Sequence, residues 1–180
     1  DSIVLVDKNA LGLAAMTAKD LSVTAGGNIT QSGNLAVTNN ASFTGADVNL
    51  TTHSNNFGSL ALFANNASVT EASSTDLSGA TINGNLTLTS VDNIIDSGAV
   101  VVTGTTTLDS GNGKQITLDH SGNDFGTVAL ASTGDTVVIN DSSALDLGAM
   151  NTASLNVTAG GAISNSGALV VSGLTTLNSG

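Results

Sequence analysis

The 180-residue chain has the length of one ordinary domain, yet proline, cysteine, tryptophan, tyrosine and arginine are all absent, and aromatics make up 2% of it against 40% hydrophobic residues. Its core must be built from Val, Leu, Ile and Ala, which suit a narrow interior lined by pleated strands, and the lack of cysteine excludes disulfides and thiol chemistry. Fourteen acidic residues against three basic ones (Lys8, Lys19, Lys114) give a net charge of −11, which opposes binding to nucleic acid or to an anionic membrane surface.

No run approaches the roughly 18 apolar residues that membrane insertion needs, and no charged-then-apolar N-terminal signal is present. In chain order, the most helix-like stretch comes first, NALGLAAMTAKDL at 9–21. Its counterpart at 143–155 carries Asp146, Gly148 and Asn151, which argues against a helix. Beyond it, apolar residues alternate with period two: Leu21 and Val23, Leu35 and Val37, Leu60 and Leu62, Leu86 and Leu88, Val100 and Val102, Leu155 and Val157. Short strands follow from that alternation. Strand centres fall near residues 22, 29, 36, 43, 49, 61, 69, 76 and 82, with a longer gap at 51–58. Between them lie AGGN at 25–28, QSGN at 31–34, SNNFG at 54–58, DSGNGK at 109–114 and SGND at 121–124, residues that suit turns.

The sequence also repeats. Residues 2–37 and 136–171 match at an offset of 134, pairing Ile3 with Val137, Leu11 with Leu145, Met16 with Met150, Gly26 and Gly27 with Gly160 and Gly161, and Leu35 with Leu169. A diverged copy at 85–111 matches 20–45 and 154–180, so the unit is roughly 65 to 69 residues. Units run over 1–19 (partial), 20–84, 85–153 and 154–180 (partial), with no linker between them. A period near 67 fits neither the blades of a β-propeller nor a stack of β-sandwich domains. These features predict an all-β, right-handed parallel β-helix with about three short strands per coil. At about 22 residues per coil the chain would hold about eight coils, three per unit, in a rod on the order of 40 Å long. Because the first residue lies inside a repeat and the last stops partway through one, the chain reads as a single continuous segment of something longer, or as a unit that stacks end to end on itself.

LSVTAGGNITQSGNLAV, LNVTAGGAISNSGALVVSGLTTLNSG and the N-x-F-G element at 55–58 and 123–126 resemble the repeats of filamentous-haemagglutinin-type bacterial exoproteins, over essentially the whole chain. Members of that family are large secreted or surface-tethered adhesins, often exported by a two-partner system. The resemblance implies a right-handed parallel β-helix acting as a rigid extracellular stalk at the bacterial cell surface. Its partners would be the chain itself, through end-to-end stacking or a longer helix, and host or bacterial surface glycans if one face of the rod also binds.

Candidate chemistry is sparse. His53 and His120 occupy corresponding places one unit apart, too far to share an ion, with Asp119 or Asp124 the only acidic neighbours. GGNIT at 26–30 and GGAIS at 160–164 lack the third glycine and the aspartate of a calcium roll, so the aspartates read as turn formers. Carboxylate pairs suited to glycoside hydrolysis would be Asp92 with Asp96 or Asp141 with Asp146. The copies place Gly27 and Gln31, then Gly161 and Asn165, opposite the first pair. TGTTT at 103–107 offers three hydroxyls for an ice-binding face, but its copies at 38–42 and 172–176 do not keep them. Asn-x-Ser/Thr triplets occur at Asn28, Asn40, Asn49, Asn66, Asn85, Asn140 and Asn156, as expected by chance in a chain of this composition. No enzyme, cofactor, metal or catalytic residue is therefore expected.

Overall fold

A computed structural model describes residues 1–131 and 133–180. Twenty strands, and no helix, are present among the described residues. The first coil holds β1 (Ser2–Asp7), β2 (Leu11–Leu13) and β3 (Met16–Ala18), and the second β4 (Asp20–Ala25) and β5 (Ile29–Gln31), running on into β6 (Leu35–Thr44). Longer strands bend through the corners next: β7 (Asp47–Ala64), β8 (Asn66–Glu71) and β9 (Thr75–Ile82), then β10 (Leu86–Thr89), β11 (Ile94–Asp96) and β12 (Val100–Asp109). The rod continues through β13 (Ile116–Leu118), β14 (Asp124–Leu130), β15 (Thr133–Asp141), β16 (Leu145–Leu147) and β17 (Met150–Ala159), and finishes with β18 (Ile163–Asn165), β19 (Leu169–Val171) and β20 (Thr175–Ser179). Each strand pairs in parallel with the one a coil away, as in β1 on β4 and β4 on β6. The architecture is that of a right-handed parallel β-helix.

Partners on neighbouring coils lie between 16 residues apart, as in Asn55 and Glu71, and 23 apart, as in Val101 and Asp124. Coils near 20 residues divide the chain into about nine turns, one more than the expected eight. The expected coil was too long because one strand in the unit lacks apolar alternation. Asn55-Asn56-Phe57 forms a face of its own against Ala36 and Val37, in the gap where no strand centre is legible. The expected strand centres otherwise fall inside strands, and the stretch at 9–21 forms β2, β3 and the start of β4.

Along one face the stacked partners are Leu11, Ile29, Val48, Ala67, Leu86, Thr106, Val128, Leu147 and Asn165. Ile29 to Asn165 is seven coils and 136 residues, so the sequence offset of 134 returns to the same face two residues early. Half of that offset is about three and a half coils. Leu86, the sequence counterpart of Leu21, therefore stacks above Ile29 instead, and Leu21 stacks on Ala41 and Leu60. Equivalent positions in successive copies face opposite sides of the rod. This corrects the expected three coils per unit.

The half-turn is built by two irregularities. On one side β8 bridges two faces of the coil below, pairing Ala67 with Val48 but Glu71 with Asn55, and residues 51–54 are extruded from the coil. On the other side β9 gains a residue, Ser78, between its pairings with Leu60 and Ala61, next to Gly79 with φ 152°. A glycine tolerates that backbone where an L side chain would be strained. The interior is one continuous apolar column of small branched residues from Leu13 to Ala159, with Phe43 and Phe57 in tilted contact at 5.6 Å between ring centres.

Candidate functional site at the repeated corners

Strand ends and turns inside a solenoid leave backbone groups that water cannot reach, so the corners need polar side chains. Behind the first N-x-F-G element, Gln31, Asn55 and Glu71 stack on three successive coils, all buried. Gln31 and Asn55 form a reciprocal amide pair, Nε2 to Oδ1 at 2.8 Å and Nδ2 to Oε1 at 3.0 Å. Asn55 Oδ1 accepts from Leu35 N at 3.1 Å, while Nδ2 lies 3.0 Å from the carbonyls of Leu50 and Thr70. Those are the groups orphaned where residues 51–54 leave the coil. Glu71 Oε2 accepts from Phe57 N at 3.4 Å and from Ser73 Oγ at 3.3 Å, whereas Oε1 is buried without a hydrogen-bond partner. Burial pushes the Glu71 carboxyl up to about 7.

The second N-x-F-G element backs onto the same construction in Asp96, Asn123 and Asp141, again buried. Asn123 Oδ1 accepts from Val100 N at 2.8 Å and its amide donates to Asp96 Oδ2 at 2.6 Å. Asp141 Oδ2 accepts from Phe125 N at 2.6 Å and Oδ1 from Ser143 N at 2.8 Å. Burial raises both carboxyls, against hydrogen bonds that pull them down. Asn165, the third-copy counterpart of Gln31, donates to Gly167 O at 3.2 Å as Gln31 does to Gly33 O at 2.9 Å. The motif asparagine is thus an interior bracket for the corner.

The residues considered from sequence do not converge. His53 and His120 both sit on the extruded four-residue segments, 51–54 and 119–122, about half a turn apart around the rod. Thr52 Oγ1 and His53 Nδ1 are 3.0 Å apart, and His120 Nδ1 accepts from Gly122 N at 3.0 Å. Among the described residues no three His, Asp or Glu side chains gather to hold a metal ion. Asp92 lies outside, paired with Lys114 Nζ at 3.1 Å, while Asp96 points into the interior. A hydrogen bond from Asn93 N and the Lys114 ammonium hold the Asp92 carboxyl down. Asp141 is interior in the same way, and Asp146 is outside, bonded to Ser166, Ser164 and Thr127. Neither pair faces a common substrate position.

Turn-forming aspartates are seen at Asp7, which accepts from Asn9 N at 2.7 Å, and at Asp109, which accepts from Gly111 N at 3.0 Å. Within TGTTT, Thr106 is interior, and Thr103, Thr105 and Thr107 lie on the outer side of the strand. The neighbours that matter to Thr107 are Thr87 and Ala129 on adjacent coils, not the sequence copies. Some of the asparagine triplets have a structural use: Asp47, Asn66 and Asn85 form a ladder along one corner. Each side chain accepts from the backbone N of the residue one coil on, at 2.9 to 3.0 Å, ending on Thr105.

The buried polar corners went unread as sites because an inward Gln, Asn or Asp looks like a turn residue. The available signal was the substitution pattern across copies: Gln31, Asp96 and Asn165 stay polar on the strand face that also carries Ile29, Ile94 and Ile163 two residues earlier.

Fold and corners together define a solenoid repeat protein whose units are related by a half-turn. A family model described as repeats of unknown function (DUF5649) matches residues 1–63, 64–132 and 134–180, and the chain belongs to that family. The matched units have the same period as those read from sequence, in a different phase. No curated protein and no solved structure matches the chain.

Proposed function

We propose that the chain is a structural rod segment of a secreted or surface-anchored bacterial fibre, supplying stiffness and reach and performing no chemistry of its own. The observation that carries this reading is the unbroken interior column, which runs from Leu13 to Ala159 without a domain boundary. In a solenoid each coil contacts only its neighbours, so length is gained by adding coils at constant cross-section. The likeness to filamentous-haemagglutinin repeats supports a place outside the cell. The divergence of Asp92 from Asp96 and of Asp141 from Asp146 supports the absence of catalysis. Immunoelectron microscopy of the source cells with antibodies to this chain tests the reading. Label along fibres of uniform width at the cell surface is expected; label confined to the cytoplasm overturns it.

A further inference from the structure

Two notches open on the rod, and the repeat relates them. One, of about 240 Å³, is lined by Ala36, Val37, Thr38, Asn56 and Gly58. The other, of about 190 Å³, is lined by Val101, Val102, Thr103, Asp124 and Gly126 and closed by Ser143 on the next coil. Each lining residue of the first has its counterpart in the second, at offsets of 65 or 68. A register irregularity makes both: Val37 pairs with Phe57 and Asn40 with Ser59, and Val102 pairs with Phe125 and Thr105 with Thr127. The lower corner therefore has one residue more than the upper and projects as a ledge. Gly58 and Gly126 let the upper corner sit directly on that ledge, since a Cβ on either would run into the carbonyl oxygen of Thr38 or Thr103.

The lining sets the chemistry of what fits. No cationic side chain lines either notch, and the one carboxylate, Asp124, accepts from Ser143 Oγ at 2.8 Å, so an anionic ligand finds no counter-charge. Ala36, or Val101, forms the apolar side, while Val37 and Val102 beside them turn into the core. Thr38 and Asn56, or Thr103 and Asp124, supply hydroxyl, amide and carboxylate groups opposite. The volumes lie below the roughly 300 to 1,000 Å³ of sites for larger ligands, and suit a single ring with one apolar face and several hydroxyls. We propose that each repeat carries, at its N-x-F-G corner, a shallow site for one neutral hexopyranose residue of a surface glycan. The two sites lie about three and a half coils apart, about 17 Å along the axis, and face opposite sides. They therefore engage separate glycan chains.

The test is a ¹H–¹⁵N correlation titration of the whole chain with the methyl glycosides of glucose, galactose, mannose and N-acetylglucosamine, taken to saturation in the millimolar range. At least one glycoside is expected to give saturable shifts confined to amides 36–38 with 56–58 and 101–103 with 124–126. Thr38→Trp is expected to remove the first set alone and Thr103→Trp the second alone, halving the stoichiometry, with the surviving set reporting an intact fold. Three results would overturn the proposal: no saturable shift with any of the four glycosides, shifts at both notches that survive the double substitution, or loss of both sets in either single variant. The rod reading is untouched by all three.

Discussion

At the scale of single residues, the interior asparagines and carboxylates carry more than their number suggests. Replacing Asn55 by Ala would strand Leu35 N, the Gln31 side-chain amide and a main-chain carbonyl of the corner, each worth about 1 to 3 kcal/mol when buried unpaired. Asn55→Ala is therefore expected to cost at least about 3 kcal/mol in urea unfolding, and Asn123→Ala a comparable amount. His53→Ala, on the extruded segment, should stay within about 0.5 kcal/mol of the parent. Glu71 gives a pH dependence with a definite sign. Its carboxyl is at about 7 in the folded chain against 4.5 for a free side chain, so between those values the folded state holds a proton that the unfolded state has released. Stability is highest below pH 4.5 as far as this group is concerned, falls as pH rises to 7 and is flat beyond. The total loss is about 3 kcal/mol at about 1.4 kcal/mol per pKa unit. In Glu71→Gln that fall should be absent, and the variant should be more stable than the parent at pH 8; equal slopes for the two proteins between pH 5 and 7 would refute the assignment.

At the scale of strands and corners, the legible and illegible parts of the sequence divide along physical lines. Wherever an apolar residue pointed inward and a polar one outward, as in Leu86-Thr87-Leu88-Thr89, the strand was plain from period two alone. The face at 55–57 was missed because Asn55, one of its two inward residues, is polar, and with it went the coil length, the number of turns and the half-turn between copies. The identity of neighbours across coils was also beyond reach, because it depends on where residues are extruded or inserted. The pairing of carboxylates failed for the same reason, since Asp92 and Asp96 lie on opposite sides of the strand wall. The extruded segments should be permissive, because loop closure entropy grows slowly with length. Three residues inserted between Thr52 and His53 are expected to cost less than about 1 kcal/mol. The same insertion between Ser68 and Val69 turns the rest of β8 inside out and should abolish the cooperative transition seen by circular dichroism.

For the whole molecule the half-turn governs how the rod can be lengthened. The last coil exposes Leu169, Val170, Leu174 and Leu177, which in earlier coils would be covered or would form part of a paired strand. At an offset of 134, the residue that continues the pattern after Gly180 is the counterpart of Asp47, because 46 and 134 sum to 180. Joining residues 47–180 directly after Gly180 should therefore extend one solenoid by seven coils, about 34 Å at 4.8 Å per coil. Joining residues 1–180 at the same point places Asp1 where the pattern demands Asp47, which puts long strands over short ones and leaves the seam unpaired. Stability in a solenoid is close to a sum of unit and neighbour-interface terms. The in-phase fusion should thus unfold in one transition at a higher midpoint than the parent, and small-angle scattering should show the added length at unchanged cross-section. The out-of-phase fusion should keep the parent's midpoint and scatter as two rods joined by a hinge. If both fusions unfold at the same midpoint, successive repeats are not related by three and a half coils.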